Sequence, residues 1–273
     1  MPSILQVSDA HLSPRNGLFR GNLDLVRRAA EAAPPDLVVA SGDLSLDGAG
    51  REPDLAFAAE QHRAFAAPLL ALPGNHDVGS EPKLAPHQPV DDARLDRWRR
   101  HLGPGRGVVD LPGWRVIGLN SEVMGTGHAE EEAQAAFIAA AAAGAGDRRI
   151  ALFLHKPPFL HAPEEAGWNP WSVPPEARPA LAPLLTHPGL RLVASGHLHL
   201  HHEIRRGAVT HVWAPSLSFT VPASMQPGIP GARIGGALLH LLHADHVETR
   251  LLAPAGVEAV PMDTVQDQTY PRA

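Results

Sequence analysis

The sequence predicts a layered α/β domain, and three features of its 273 residues support that prediction. Short apolar runs bounded by Gly, Pro, Asp or Asn alternate with longer stretches of helical composition. Hydrophobic side chains make up 44% of the chain, which is enough to bury a full core. Neither an internal repeat nor a long linker divides the sequence. We therefore expect one domain over residues 1–260, followed by a frayed C-terminal tail over residues 261–273.

Six apolar runs, each short and flanked by turn residues, predict buried strands. They cover residues 3–7, 37–40, 69–72, 115–119, 150–154 and 190–194. Five predicted helices lie between these runs. They cover residues 23–33, 54–67, 91–101, 130–143 and 176–185. Glu130, Glu131 and Glu132 support the start of the fourth helix, because carboxylates in a first turn face the positive end of the helix dipole.

Beyond His199 the pattern changes, because apolar runs follow one another with no helix between them. Residues 208–213, 235–242 and 246–252 predict strands that join a sheet in antiparallel fashion. Pro-rich stretches over residues 163–188 and 215–230 predict ordered loops that cover a site or a sheet edge.

Composition excludes several classes of protein. The net charge of -6 gives no electrostatic footprint for duplex nucleic acid or an anionic membrane. With no cysteine, disulfides, cysteine-based zinc modules and iron–sulfur clusters are excluded. No Gly-Lys-Ser/Thr phosphate loop is present, and no leader or membrane-spanning pattern is found, so we expect a cytoplasmic protein. Histidine is abundant, with 17 residues, and it is the commonest nitrogen ligand for metals.

Oxygen and imidazole donors follow five of the predicted strands, at the point where each strand ends. These donors are Asp9, His11, Asp43, Asn75, His155, His197 and His199. Ligands gather at the carboxyl ends of strands in α/β sheets, so donors that are scattered in sequence converge on one pocket. Seven donors are too many for one tetrahedral zinc and suit two ions that share a bridging carboxylate. Two divalent ions and two aspartates leave about two positive charges, which favours a phosphate ligand and hydroxide formation.

These blocks resemble the calcineurin-like metallophosphoesterase superfamily. The resemblance rests on Asp9-Ala-His11, Gly42-Asp43, Gly74-Asn75-His76-Asp77, His155 and Gly196-His197-Leu198-His199, in that order. It implies a four-layer αββα sandwich with two metal ions, drawn from manganese, iron, zinc or cobalt. By motif, one metal would be held by Asp9, His11, Asp43 and His199. The other would be held by Asp43, Asn75, His155 and His197.

The resemblance also implies a reaction. His76 would stabilise or protonate the leaving oxygen, and Asp77 would orient that region as a second catalytic residue. A hydroxide bridging the metals would attack phosphorus in line with the leaving alkoxide. The sequence is most similar to bacterial class III cyclic-nucleotide and glycerophosphodiester phosphodiesterases, which implies a small phosphodiester substrate and no membrane partner. Lys156 stands where a second His is frequent, and Asn120 stands where Asp is usual. A homodimer is expected from base rates.

Other interpretations stay open at this point. A broad-specificity phosphomonoesterase would use the same dimetal site, and a non-catalytic metal-binding scaffold would keep the fold without the reaction. The aspartates and Asn75 could serve turns and caps, and the histidines could be core residues. A purple acid phosphatase is disfavoured because its iron ligand is a tyrosine soon after Asp43, whereas this chain has only Tyr270. Trp168 and Trp171 could line the pocket or simply pack.

Overall fold

A computed structural model describes residues 1–269 of the chain. The strands are β1 (Ser3–Val7), β2 (Leu37–Ser41), β3 (Leu69–Leu72), β4 (Gly107–Leu111), β5 (Trp114–Leu119), β6 (Arg149–Leu154), β7 (Leu190–Ser195), β8 (His202–Arg206), β9 (Val209–Trp213), β10 (Phe219–Thr220), β11 (Ala237–Leu242), β12 (Val247–Leu252) and β13 (Val260–Pro261). The α-helices are α1 (Arg20–Ala32), α2 (Glu52–Arg63), α3 (Asn75–Val78), α4 (Asp92–Leu102), α5 (Ala129–Ala143), α6 (Ala182–Leu185) and α7 (Gln266–Thr269). Short 3-10 helices cover Ser121–Val123, Pro175–Leu181, Ala223–Met225 and Met262–Thr264.

Two sheets form the centre of the molecule. The five-stranded sheet has the order β12-β11-β1-β2-β3, and the six-stranded sheet has the order β4-β5-β6-β7-β9-β8. Neighbouring strands are parallel from β1 to β3 and from β5 through β6 and β7 to β9. Strands β11, β12, β4 and β8 are antiparallel to their neighbours. The carboxyl ends of the parallel strands therefore lie together at one edge of each sheet.

Three apolar cores separate four layers. Between the two sheets, Ile4 and Val39 of one sheet pack with Val116 and Phe153 of the other. A second core lies where α1, α2 and α4 cover the outer face of the five-stranded sheet. A third core lies where α5, α6 and Pro175–Leu181 cover the outer face of the six-stranded sheet. The single-domain αββα sandwich implied by the resemblance is confirmed.

The region beyond His199 differs from the prediction. Its strands divide between the two sheets, because β11 and β12 extend one sheet while β8 and β9 extend the other. Only part of the pairing is antiparallel, since β9 lies parallel to β7. The predicted helix over residues 176–185 is also divided. It starts as a 3-10 helix that contains Pro179 and continues as α6, because proline has no N–H for an α-helical hydrogen bond.

The expected frayed tail from Pro261 is wrong over the residues that the structure describes. Val260 pairs with Phe219, so β13 lies parallel to β10. Met262 and Val265 are buried against Phe19, Phe219 and Val221 in a separate apolar cluster. Burial of these side chains holds the segment against the domain, and residues 270–273 of the predicted tail lie outside the described part.

Among residues 1–269, no helix has the length and apolar character needed to cross a membrane.

Candidate metal centre

All seven predicted donors meet where the carboxyl ends of the two sheets converge. Asp9 and His11 follow β1, Asp43 follows β2, and Asn75 opens α3 directly after β3. These strands belong to the five-stranded sheet. From the six-stranded sheet, β6 and β7 contribute the remaining donors. These are His155, His197 and His199. Each sheet therefore supplies part of the site.

The backbone is strained at the donors themselves. Among the described residues, the only non-glycine positions with positive φ are Asp9 (54°), His11 (45°), Asp43 (50°), His197 (67°) and His199 (53°). Such a conformation costs on the order of 1–3 kcal/mol at each residue and persists only where the surroundings impose it. The hydroxyls of Ser216 and Ser218 donate to the Asp9 carbonyl at 3.0 and 2.7 Å and help to hold it. Strain is therefore concentrated where the side chains must converge.

The donors form two groups that share one carboxylate. Asp9, His11, Asp43 and His199 form one group, whose ligand atoms all lie within 4.8 Å of one another. Asp43, His155 and His197 form the other under the same limit. The Asn75 Oδ1 lies 3.3 Å from His155 Nε2, which brings the amide into the second group. Asp43 is the only member common to both groups, which is the arrangement expected of a bridging ligand.

Distances between donor atoms fit metal ions. Asp9 Oδ1 lies 3.3 Å from His199 Nε2, and Asp43 Oδ2 lies 3.3 Å from His155 Nε2 and 3.6 Å from His11 Nε2. Two donors that each lie about 2.1 Å from one ion are separated by roughly 3.0–3.4 Å. The nitrogens His11 Nε2 and His199 Nε2 approach to 3.3 Å. Two imidazole nitrogens that lie this close to each other, beside the carboxylates of Asp9 and Asp43, suit a shared cation.

Three of the histidines are oriented by backbone carbonyls. The far nitrogens donate to carbonyl oxygens at 2.8 Å for His155, 3.0 Å for His197 and 2.6 Å for His199. The accepting carbonyls belong to Ser41, Pro170 and Phe219. Such a bond fixes the tautomer and leaves the opposite nitrogen with a lone pair, as metal-binding histidines require. His11 differs, because its Nδ1 is buried and has no hydrogen-bond partner among the described residues.

The electrostatics favour ionised aspartates. Burial opposes ionisation of Asp43, but the adjacent His155 and His76 override it and hold the pKa of Asp43 well below its usual value. Burial likewise opposes ionisation of Asp9, while His199 lowers the pKa of Asp9 by its charge and by a hydrogen bond. For His197, burial lowers the pKa to about 4, which keeps the ring neutral near pH 7. Carboxylates and a neutral imidazole are the forms that bind metals.

Two glycines allow the close approach of these donors. A Cβ on Gly74 would lie 2.2 Å from Asp43 Oδ1, and a Cβ on Gly42 would lie 2.2 Å from His155 Nδ1. Any larger side chain would displace a donor.

His76 follows Asn75 in α3 and is half-buried. Its backbone N–H donates to Asp43 Oδ1 at 2.8 Å, and its Nδ1 donates to the Leu46 carbonyl at 2.8 Å. Because a carbonyl oxygen can only accept a hydrogen bond, the second bond places a proton on Nδ1. The ring lies 4.6 Å from His11, edge to face.

Asp77 is fully buried and faces the protein interior. It accepts hydrogen bonds from the backbone N–H groups of Leu44, Ser45 and Gly74 at 3.1, 2.9 and 3.0 Å. The Ser45 hydroxyl adds a bond of 2.5 Å. Burial, together with the Asp43 charge, raises the pKa of Asp77 to about 6. This side chain ties the loop after β2 to the loop after β3, which fits the orienting role and not a contact with substrate.

A buried ion pair beside the site was missed from the sequence. Lys156, next to His155, is 3% exposed, and its Nζ lies 2.8 Å from Glu122 Oε2. It also donates to Ser80 Oγ at 2.6 Å, and Ser80 donates to Glu122. Burial opposes ionisation of Glu122, yet Lys156 lowers its pKa. Its place directly after a donor histidine was the available signal, but no pattern identified Glu122 as its partner.

Two cavities open at the donors. The apolar cavity, of about 330 Å³, is bounded by Phe219, Val221, Met225 and Met262. The mixed cavity, of about 250 Å³, is bounded by Leu84, Ala85 and the polar side chains of Ser80, His87 and Gln88. Asn75, Trp171 and His197 line both.

Of the two tryptophans considered from the sequence, Trp171 lines the cavities, whereas Trp168 donates to Glu81. The apolar wall was missed because β10 and β13 are two-residue strands that no periodicity reveals.

Several known proteins are similar to this chain in sequence or in fold. The family model of the calcineurin-like phosphoesterases matches residues 2–201. The 3',5'-cyclic adenosine monophosphate phosphodiesterase CpdA of Pseudomonas aeruginosa is 30% identical over 78% of this chain and 75% of its own length. The glycerophosphodiester phosphodiesterase GpdQ of Enterobacter lignolyticus is 28% identical over 57% of each chain. A dimetal phosphatase from Danio rerio superposes with a TM-score of 0.58 at 15% identity, covering 92% of this chain and 96% of that one. With its family match over most of the sequence and its αββα fold, the chain belongs to the calcineurin-like phosphoesterase family.

Proposed function

We propose that the protein is a metal-dependent phosphodiesterase that hydrolyses a small phosphodiester, of the cyclic-nucleotide or glycerophosphodiester kind. The observation that carries this proposal is the pair of donor groups that share Asp43 and open into two cavities. The names of relatives with 28–30% identity support the same reaction type. As metal ligands we propose Asp9, His11, Asp43, Asn75, His155, His197 and His199.

Charge in the cavities supports a diester over a monoester. Neither Lys nor Arg occurs among the described residues that line the apolar or the mixed cavity. A phosphate monoester carries close to two negative charges at neutral pH, whereas a diester carries one. A site without cationic side chains around its metals is better matched to the monoanion. The phosphomonoesterase alternative therefore has less support.

The metal ligands, His76 and Asp77 have different roles in the proposed reaction. Two metal ions held by the donor groups would supply positive charge to the phosphoryl oxygens and an activated water. His76 lines the apolar cavity and its Nδ1 donates to the Leu46 carbonyl, so we assign the contact with the leaving oxygen to Nε2. A protonated Nε2 donates its proton to the departing alkoxide. Asp77 keeps the two donor loops in register, so it is a positioning residue.

The test is hydrolysis of bis(p-nitrophenyl) phosphate by the manganese-loaded protein, with metal content measured in parallel. For a diester of an alkyl alcohol, the His76→Ala variant should lower kcat by about 100-fold or more while keeping its metals, because it removes proton donation. The loss should be much smaller for bis(p-nitrophenyl) phosphate, since p-nitrophenolate leaves without a proton. His246→Ala, on an exposed turn between β11 and β12, is the matched control. A fully metal-loaded protein without diester hydrolysis contradicts the proposal.

Manganese, iron, zinc and cobalt all suit mixed oxygen and nitrogen donors, so the metals are proposed as a class. The cytoplasmic location and the homodimer stay predictions.

A further inference from the structure

A third cavity, of about 530 Å³, lies at the end of the sandwich opposite the proposed metal ligands. It is lined by Trp114 and Arg149, the first residues of β5 and β6, and by Leu242, the last residue of β11. The Leu242 N–H donates to the carbonyl of Pro2, which precedes β1 and also lines the cavity. Strand β6 has six residues, and His155 follows its far end. About 20 Å of extended chain therefore separates this cavity from the metal centre.

Both sheets contribute to the floor of this cavity. Trp114 comes from the six-stranded sheet and Leu242 from the five-stranded sheet, and each is 2% exposed in the core between them. The Trp114 indole N–H donates to the His243 carbonyl at 3.0 Å, which ties the ring to the other sheet. Exposed Pro112 and Ala244 lie at the rim. An apolar group that enters is buried against surfaces that the core already holds in place.

The Arg149 side chain brings a positive charge to this cavity without a carboxylate partner among residues 1–269. Its Nε is buried and has no hydrogen-bond partner there, and its Nη1 reaches the Asp147 carbonyl only at 3.5 Å. Arg191 of the adjacent strand β7 adds a second positive charge, since burial and then the charge of Arg149 lower the pKa of Arg191. An anion beside Arg149 would relieve this repulsion and satisfy the guanidinium.

The donors and charges around the cavity favour a ligand with a single negative charge. Arg191 Nε donates to the Asp245 carbonyl at 3.0 Å, and its Nη1 donates to two further backbone carbonyls. Arg149 is therefore the guanidinium that a ligand can use. The carboxylate of Asp147 at the rim is exposed, so water and salt screen its charge. One guanidinium balances a carboxylate, whose two oxygens match its planar fork, better than a phosphate monoester with nearly two charges.

We propose that this cavity binds a small monocarboxylate with an apolar body, whose carboxylate pairs with Arg149 and whose body packs on Trp114 and Leu242. The volume lies within the range of roughly 300–1,000 Å³ that small-molecule sites occupy. A ligand that touches both sheets binds the folded chain and raises its melting temperature. No proposed metal ligand takes part, so the inference does not depend on the proposed phosphodiesterase function.

The test is isothermal titration of the zinc-loaded protein with 4-phenylbutyrate. We expect a Kd of about 1 mM or lower, which is reasonable for a ligand of this size. Two probes separate the parts of the ligand, because 4-phenylbutanamide keeps the body without the charge and acetate keeps the charge without the body. Each should bind at least about tenfold more weakly than 4-phenylbutyrate. A Kd above about 1 mM for 4-phenylbutyrate, or equal binding of the amide, overturns the inference.

Two variants and a matched control test the cavity residues. Arg149→Met should weaken binding of 4-phenylbutyrate at least about tenfold, because it removes the charged hydrogen bonds. Arg148→Met removes the same charge one position away and should bind normally, since Arg148 faces Asp110 at 3.3 Å. Ala244→Trp, on the exposed turn between β11 and β12, fills the cavity and should also weaken binding at least about tenfold. Melting temperatures show that each variant is folded, and equal affinities in Arg149→Met and Arg148→Met contradict the proposal.

A carboxylate can also bind metal ions, so the place of binding is measured directly. Zinc is diamagnetic, and in ¹H–¹⁵N NMR spectra of the zinc-loaded protein the amides of Trp114, Arg149 and Ala244 should shift with 4-phenylbutyrate. Those of Asn75 and Trp171 should not. Asp43→Asn should keep the affinity for 4-phenylbutyrate, because Asp43 lies at the opposite end of the sandwich. Shifts confined to the metal donors, or lost affinity in Asp43→Asn, place the ligand on the metals and overturn the inference.

Discussion

The approach of Gly42 to His155 provides a test of how the metal donors are held. Gly42 has a φ of 98°, and a Cβ there would lie 2.2 Å from His155 Nδ1. Gly42→Ala therefore imposes both a left-handed backbone on an L-residue and a clash with a donor ring. Gly113, in the turn between β4 and β5, has a φ of 77°, and a Cβ there would meet nothing within 4 Å. Gly113→Ala is the matched control for strain alone.

The two variants should differ by the cost of the clash. A left-handed conformation costs about 1–2 kcal/mol for a residue with a Cβ, so Gly113→Ala should lower the free energy of unfolding by that amount. Forcing a methyl group into occupied space costs about 1–3 kcal/mol more, so Gly42→Ala should lower it by roughly 2–5 kcal/mol. The ring of His155 must also give up its 2.8 Å bond to the Ser41 carbonyl. Loss of such an orienting bond lowers metal affinity by about 10–100-fold.

Urea unfolding gives the free energies, and metal titration followed by elemental analysis gives the affinities. Hydrolysis of bis(p-nitrophenyl) phosphate should fall with metal affinity in Gly42→Ala and stay unchanged in Gly113→Ala. The reasoning is refuted if both variants lose the same stability and Gly42→Ala binds metal like the unmodified protein.

Three further predictions concern charge. Asp43→Asn should lower bound metal per chain by about half or more, because both donor groups share this carboxylate; elemental analysis checks it, and undiminished metal would contradict a bridging role. Burial lowers the pKa of His62 from 6.5 to about 4, so the unfolded chain binds a proton that the folded chain does not. The contribution of neutral His62 to the free energy of unfolding is then fully present above pH 6.5 and falls by about 3 kcal/mol as the pH drops to 4. In urea unfolding across this range, the free energy of unfolding of His62→Leu should decline less steeply than that of the unmodified protein. Lys156→Met leaves Glu122 buried without its cation and should cost about 3–5 kcal/mol in urea unfolding. Adding Glu122→Leu should restore most of that loss, and a double variant as unstable as the single one would contradict this account.

The sequence predicted that the donor side chains lie close together because of where they stand along the chain. Asp9, Asp43 and His155 each follow a buried apolar run, and the ends of parallel strands meet whatever the intervening loops do. The order of strands and donors along the chain was therefore sufficient to predict that residues separated by more than a hundred positions lie together. The same reasoning could not say that each sheet contributes donors to both groups, since strand order is a property of the whole fold.

The cavity walls escaped prediction for a physical reason. Met262 reaches the site because β13 pairs with β10 through two residues each, and such short pairing leaves no periodic signal. The partner of Lys156 was equally hidden, because Glu122 lies 34 positions away in a 3-10 turn. Contacts of this kind depend on tertiary packing that neither spacing nor composition encodes.

The division of the donors between the two sheets has a thermodynamic consequence. Each donor group takes members from both halves of the sandwich, as Asp9 and His199 do in one and Asp43 and His155 in the other. Metal ions that bind only the assembled sheets stabilise their association by about 2.7 kcal/mol at a free concentration of 100 Kd. By linkage, a substitution deep between the sheets, at Phe153 for example, weakens apparent metal binding once the unfolded chain is a substantial fraction of the metal-free protein, although no donor changes. Metal affinity in this protein is therefore also a measure of how well its two halves are joined.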